Sequence, residues 1–385
     1  YDTFTSESCG SQCEAVSLAS NENIKVRVLC APTNIRMLKA IYQEYPNVTV
    51  EELRFDEYSL NTRRMLDLMA VSDGNLPLYL HVVQRILRDL RLAQQHNGSS
   101  FDYGAFKQKL SEENLAPQQL APLKQRLETL ESFMVESQAK KGPRLGGKKK
   151  KKSKVPASTA PGTDWTPRNG TLTVVDLSCP CVTPEMACSL FNICLSLFLE
   201  EGGNVGKVVA LDEAHKYMTD SPECKTLTES LLATIRLQRH MGVRVIISTQ
   251  EPTISPKLLD LCSVTIVHRF TSPDWLRALS KHLAGVSSVS LLLDKAKRST
   301  LVGEDDEEEE VEVGALKLGG EGDPKLELFS EIVGLRVGEA LIFAPSAIMG
   351  VDETRREVKR LGHGVMKIRV RKRVTDDGGM SFVAD

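Results

Sequence analysis

The chain has 385 residues, 41% hydrophobic and 26% charged, with a net charge of −2. That length holds one large α/β core with insertions, or two modest domains. Overall charge says nothing about partners, no apolar run reaches membrane-spanning length, and nine scattered cysteines exclude a disulfide framework and point to a reducing interior, cytoplasm or nucleus. The first residue is Tyr1 rather than Met and no signal peptide precedes it, so a fragment or processed product is expected.

Residues 1–23 are polar and Ser-rich without period, which predicts loop. Ile24 to Cys30 closes apolar as a strand, and Thr33 or Asn34 can cap a helix from Ile35 to Tyr45. Residues 51–139 read as helical. Leu76 to Leu92 is apolar at nearly every turn, and Leu120, Leu123, Leu127, Leu130, Phe133 and Met134 form a near-heptad stripe. That stripe suits helices packed within the chain or a coiled coil for a partner.

Ala139 to Gly162 reads as linker, with the lysines of Lys148 to Lys152 and Lys154 among Gly, Ser, Pro and Ala. Such a run is a solvated loop, a nuclear localisation signal or a nucleic-acid tether. Gly142 to Lys149 nearly fits G-x-x-x-x-G-K-S/T, but Lys149 replaces the hydroxyl residue and neither the required strand nor helix flanks it. Leu172 to Leu177 is the next strand, with Asp176 near its end. Thr183 and Pro184 then open a helix to Glu200 that is apolar nearly all round.

The most informative stretch runs from Lys207 to Pro252. Val208 to Leu211 is a short apolar run, which suits a strand buried on both faces of a parallel sheet, and it ends in Asp212 and Glu213. A helix from Cys224 to Met241 carries Leu227, Leu231, Ile235 and Leu237 and stops at Gly242. Val243 to Ile247 is a second strand, ending in Ser248, Thr249 and Gln250. Ligands in open α/β sheets bind beyond the C-terminal strand ends, so Asp-Glu and Thr-Gln at one edge fit nucleotide hydrolysis. Asp212 would hold Mg²⁺ through water, Glu213 would act as base and the polar residues opposite would sense the γ-phosphate. Glu213 alone reads equally as a first-turn acid.

The runs L-D-E-A-H-K-Y-M and I-R-L-Q-R-H-M-G-V-R-V-I-I-S-T-Q-E-P resemble the core of the HerA/FtsK group of P-loop ATPases. The resemblance covers roughly Leu172 to Leu283, with an echo at Gly338 to Pro345. It implies a RecA-like fold, a mostly parallel sheet flanked by helices, with residues 1–50 and 167–350 as core and 51–138 as a helical insertion. It implies ATP and Mg²⁺ as cofactors, a homo-oligomeric ring, possible as a hexamer, and translocation or remodelling of nucleic acid. Thr249 and Asp212 would contact nucleotide and metal, and Gln250 the γ-phosphate. Arg239 would be a finger acting across a subunit boundary, or else a solvated helix-end cation. The phosphate loop would lie upstream of Tyr1. The alternative is a degenerate, non-hydrolysing nucleotide- or protein-binding scaffold.

Beyond Gln250, Pro256 to Leu261 and Ser272 to His282 read as helices and Val264 to Phe270 as a strand. Residues 303–313 form an acidic loop without the spacing of a Ca²⁺ site. Gly338 to Pro345 is the last core strand. Residues 351–385 form a basic extension, in which Arg369, Arg371, Lys372 and Arg373 suit either phosphate contact or a charged edge strand.

Overall fold

A computed structural model describes residues 23–42, 45, 47–68, 78–98, 100–141, 143, 162–202, 205–282, 324–352, 357–362 and 364–370. The lysine run, the acidic loop, most of the near-miss glycine segment, and Arg371, Lys372 and Arg373 lie outside them. The chain is mixed α/β and divides into two compact units, one formed by residues up to Val209 and by Lys216–Val245, the other by Ala210–His215 and the residues from Ile246 to Val374. Among the described residues no helix is long and apolar enough to cross a membrane.

The first unit is built on a small parallel sheet of three strands, β1 (Lys25–Cys30), β2 (Val48–Glu52) and β3 (Thr171–Asp176), in the order β2-β1-β3. Val26 pairs with Val48 on one side and Leu172 on the other. Val28, Leu29 and Cys30 of the central strand are all buried, as expected for a strand covered on both faces. Helix α1 (Ile35–Tyr42) joins β1 to β2.

Parallel neighbours need a crossover, and the one from β2 to β3 is long and helical. It contains α2 (Thr62–Leu68), α3 (Leu78–Asn97), α4 (Tyr103–Glu112), α5 (Pro117–Phe133) and α6 (Glu136–Ala139). Helix does not begin at residue 51, because β2 continues to Glu52 and Phe55 forms an isolated bridge to Met134. Phe55 N donates to Phe133 O and Val135 N donates to Phe55 O. The leucine stripe faces inward: Leu123, Leu127, Leu130, Phe133 and Met134 are buried in the same core as Leu29 and Phe55. Thr163 and Trp165 also belong to this unit. Thr163 N donates to Arg54 O and its hydroxyl accepts from Arg54 N, and Trp165 is buried.

After β3, Asp176 accepts from Ser178 N at 2.9 Å and Ser178 Oγ at 2.5 Å, a local turn that gives this carboxylate a structural role. Helix α7 (Pro184–Glu200) is capped by Thr183, whose hydroxyl accepts from Met186 N at 3.3 Å. It is buried on most sides and packs against α8 (Pro222–Met241). Carbonyls at the end of α7 and just past it are capped from outside the helix, since Lys207 Nζ donates to Phe198 O, Leu199 O and Glu201 O. Burial lowers the Lys207 pKa. In α8, Leu227, Leu231 and Ile235 are buried four residues apart, whereas Leu237 is half exposed because two residues beyond Ile235 is the opposite side of a helix.

Strands β4 (Lys207–Leu211) and β5 (Val243–Ile247) pair with each other. Burial on both faces is not what is found: alternate residues are open, with Val208 and Ile246 each 59% exposed. The period-2 pleat assigns the two parities to different faces, and only one parity is covered.

The second unit has its own core. Strands β6 (Thr265–Val267), β7 (Glu339–Phe343) and β10 (Met366–Arg369) form an antiparallel sheet in the order β10-β7-β6. Helices α9 (Pro256–Leu261), α10 (Pro273–His282) and α11 (Pro324–Gly334) complete it, and Val267, Leu279, Ile332, Leu341 and Phe343 form the cluster. A hairpin of β8 (Ile348–Asp352) and β9 (Glu357–Arg360) leads into β10.

Candidate active site

Two chain segments of the second unit meet just beyond the strand ends. Ser248 N donates to Leu211 O at 2.9 Å, and Ala214 N donates to Ser248 O at 2.9 Å. These bonds lock residues 211–215 beside residues 246–251. The apolar strand residues fix the register, and the polar residues emerge where the strands stop.

Glu213 is at the centre. Its φ is 51°, the one positive value at a non-glycine among the described residues. Left-handed backbone costs an L-residue about 1 kcal/mol or more, and such outliers gather where geometry serves a function. The turn follows at once: Asp212 Oδ1 accepts from Glu213 N at 3.0 Å, and Ala214–Tyr217 forms a single 3₁₀ turn anchored by buried Ala214.

Both oxygens of Glu213 are engaged. Gln250 Nε2 donates to Oε1 at 2.5 Å, and His215 Nε2 lies 3.4 Å from Oε2. The His215 Nδ1 atom is 3.5 Å from Thr249 Oγ1, and its Nε2 is 3.9 Å from Glu251 Oε1. Thr249 Oγ1 donates to Glu251 O at 3.1 Å and accepts from Glu251 N at 3.3 Å, closing a tight turn. Trp275 Nε1 on α10 donates to Gln250 O at 3.0 Å, which fixes the backbone that carries the amide.

The structure therefore brings together Asp212, Glu213, Thr249 and Gln250, the residues picked out in the sequence. It adds His215, Glu251 and Trp275. His215 stood within the D-E-A-H run, but only the left-handed turn at Glu213 brings its ring back to the carboxylate. Trp275 carried no signal at all.

Asp212 is exposed, and one of its oxygens is committed to the turn. Among the described residues no cluster of three or more metal-ligating side chains is present. This donor set does not make a protein cage. It fits Mg²⁺, which is commonly held by one or two carboxylates, water and substrate phosphates. Arg239 is exposed in the last turn of α8, in the first unit. Arg369 is exposed on β10 in register with Glu339, while Lys367, two residues before it, pairs with Glu339 at 3.0 Å. Compared with known proteins, the chain matches no family model and no curated protein.

Proposed function

We propose that this chain is part of an ATP hydrolase with a RecA-like core of the HerA/FtsK type, acting on nucleic acid as a ring. The observation that carries the reading is Glu213, a carboxylate at a strand end in left-handed backbone, hydrogen-bonded to the amide of Gln250 from the neighbouring strand. Asp212 supplies an exposed carboxylate for Mg²⁺, which would neutralise phosphate charge when bound. Glu213 takes the proton of the attacking water, and its fixed orientation keeps the basic lone pair directed at one place. Gln250 presents an amide beside that water, suited to a γ-phosphate oxygen. Thr249 shapes the turn that holds Gln250.

The reading requires a glycine-rich phosphate loop from outside these residues, because backbone amides and a lysine must hold the β and γ phosphates. Two measurements test it together. The 385-residue chain should bind Mg-ATP weakly or not at all by calorimetry. The full-length gene product should hydrolyse ATP in a Mg²⁺-dependent way. Micromolar affinity in the chain alone would relocate the phosphate loop. A full-length protein that binds Mg-ATP but never turns it over would favour the scaffold reading.

A further inference from the structure

We infer that His215 is a positioning residue for Glu213, holding the base from the side opposite Gln250 and tying it to Thr249. The inference rests on the hydrolase reading above.

The imidazole is the inner member of the cluster. Its side chain is 11% exposed, against 27% for Glu213 and 57% for Glu251. It sits on the 3₁₀ turn whose first residue, Ala214, is buried and bonded to Ser248 O, so the ring has a fixed root. Nε2 lies 3.4 Å from Glu213 Oε2, within ion-pair distance, and a carboxylate oxygen can only accept there. The other ring nitrogen, Nδ1, faces Thr249 Oγ1 at 3.5 Å, a hydroxyl whose own proton goes to Glu251 O. The ring nitrogens thus have different duties, one toward the base and one toward the end of the neighbouring strand.

The arrangement has a mechanical consequence. A carboxylate held at one oxygen can still swing about its last torsion. Glu213 is met at Oε1 by Gln250 and at Oε2 by His215. Gln250 is exposed, and in the proposed reaction its amide also faces phosphate. His215 is the enclosed partner that keeps the carboxylate plane fixed while Gln250 responds to nucleotide. It takes no proton in the reaction and touches neither water nor phosphate; it acts through Glu213.

The test is steady-state Mg-ATP hydrolysis by the full-length protein with His215→Ala, His215→Gln, His215→Asn, Glu213→Gln and the Glu213→Gln/His215→Ala pair. His215→Ala should lower kcat by about 10- to 100-fold, the usual scale for an orienting partner, with KM changed less than about twofold. A Gln side chain carries its amide near the place of Nε2, whereas Asn reaches only the place of Nδ1. His215→Gln should therefore recover much of the lost kcat and His215→Asn little. In the Glu213→Gln background the loss of His215 should cost nothing more, because residues acting as a unit are not additive. Circular dichroism of each variant separates misfolding from lost positioning, and the comparison of Gln with Asn holds even where the Ala variant is unstable. Full kcat in His215→Ala, equal behaviour of Gln and Asn, or multiplying losses in the pair would overturn the assignment while leaving the hydrolase reading intact, provided that Glu213→Gln is itself inactive. Wild-type turnover in Glu213→Gln would overturn the hydrolase reading and this one with it.

Discussion

Gln250 Nε2 and Glu213 Oε1 lie 2.5 Å apart, joining the polar end of β5 to the carboxylate just beyond β4. The two residues are 37 positions apart in sequence, and their contact depends on the register set by Ser248 N on Leu211 O. A hydrogen bond to an ionised group is roughly twice as strong as a neutral one. It holds a carboxylate whose backbone is already in a costly conformation. The carboxylate of Glu213 meets a side chain from the neighbouring strand end.

Arg239 separates a ring from a monomeric hydrolase. If it stabilises charge developing at the transition state of a neighbouring subunit, Arg239→Ala should cut the rate far more than nucleotide affinity. Mixing Arg239→Ala with Glu213→Gln protein should restore some hydrolysis, since a mixed interface can pair an intact base with an intact finger. Hetero-oligomers as inactive as their components would leave Arg239 a solvated residue at a helix C-terminus.

Glu57, in the 3₁₀ turn after β2, ties the start of the helical crossover to its later helices. It is buried, its Oε1 accepts from Tyr103 N at 2.7 Å, and its Oε2 accepts from Lys141 Nζ at 2.8 Å. That hydrogen bond is the first cause of the raised Lys141 pKa. Glu57→Ala leaves the buried start of α4 short of an acceptor and should cost about 1–3 kcal/mol in urea unfolding. Glu57→Gln keeps an acceptor for Tyr103 N and should cost less. Equal losses for the two would place the effect in packing.

Glu339 gives the second unit an acid-sensitive limb. The backbone N–H of Arg336, and then Lys367, hold its carboxyl below the ordinary glutamate value of 4.5. A folded-state pKa lowered in this way means that the unfolded chain binds more protons in the window between the two values. The stabilisation is complete above the ordinary glutamate value and is lost as pH falls through the lowered one. Glu339→Gln should flatten that part of the stability profile, read as unfolding midpoint against pH. An unchanged profile would remove Glu339 from the acid response.

Much of the site was legible because strand ends are. Short apolar runs fix where β4 and β5 stop, and the next residues, Asp212–Glu213 and Thr249–Gln250, are placed by that alone. The helices were legible for the same kind of reason: Thr183 with Pro184, and Gly242 after Met241, are end signals that require no tertiary information. What side chains do after a turn was not legible. The left-handed φ at Glu213, which has no glycine to announce it, decides where His215 points. Strand direction was hidden as well, because nothing in the residues of β6, β7 and β10 announces that they pair antiparallel. Nor does an apolar run such as Val208–Leu211 reveal that one of its faces stays open.

The central claim is that Glu213 activates the attacking water. It is tested most directly by comparing Mg-ATP binding and single-turnover hydrolysis in wild-type and Glu213→Gln full-length protein. Removing a general base while leaving Asp212 in place should keep the nucleotide Kd within about twofold and slow the chemical step by about 100-fold or more. Hydrolysis at the wild-type rate in Glu213→Gln would contradict the account and return Glu213 to a structural acid at the end of β4.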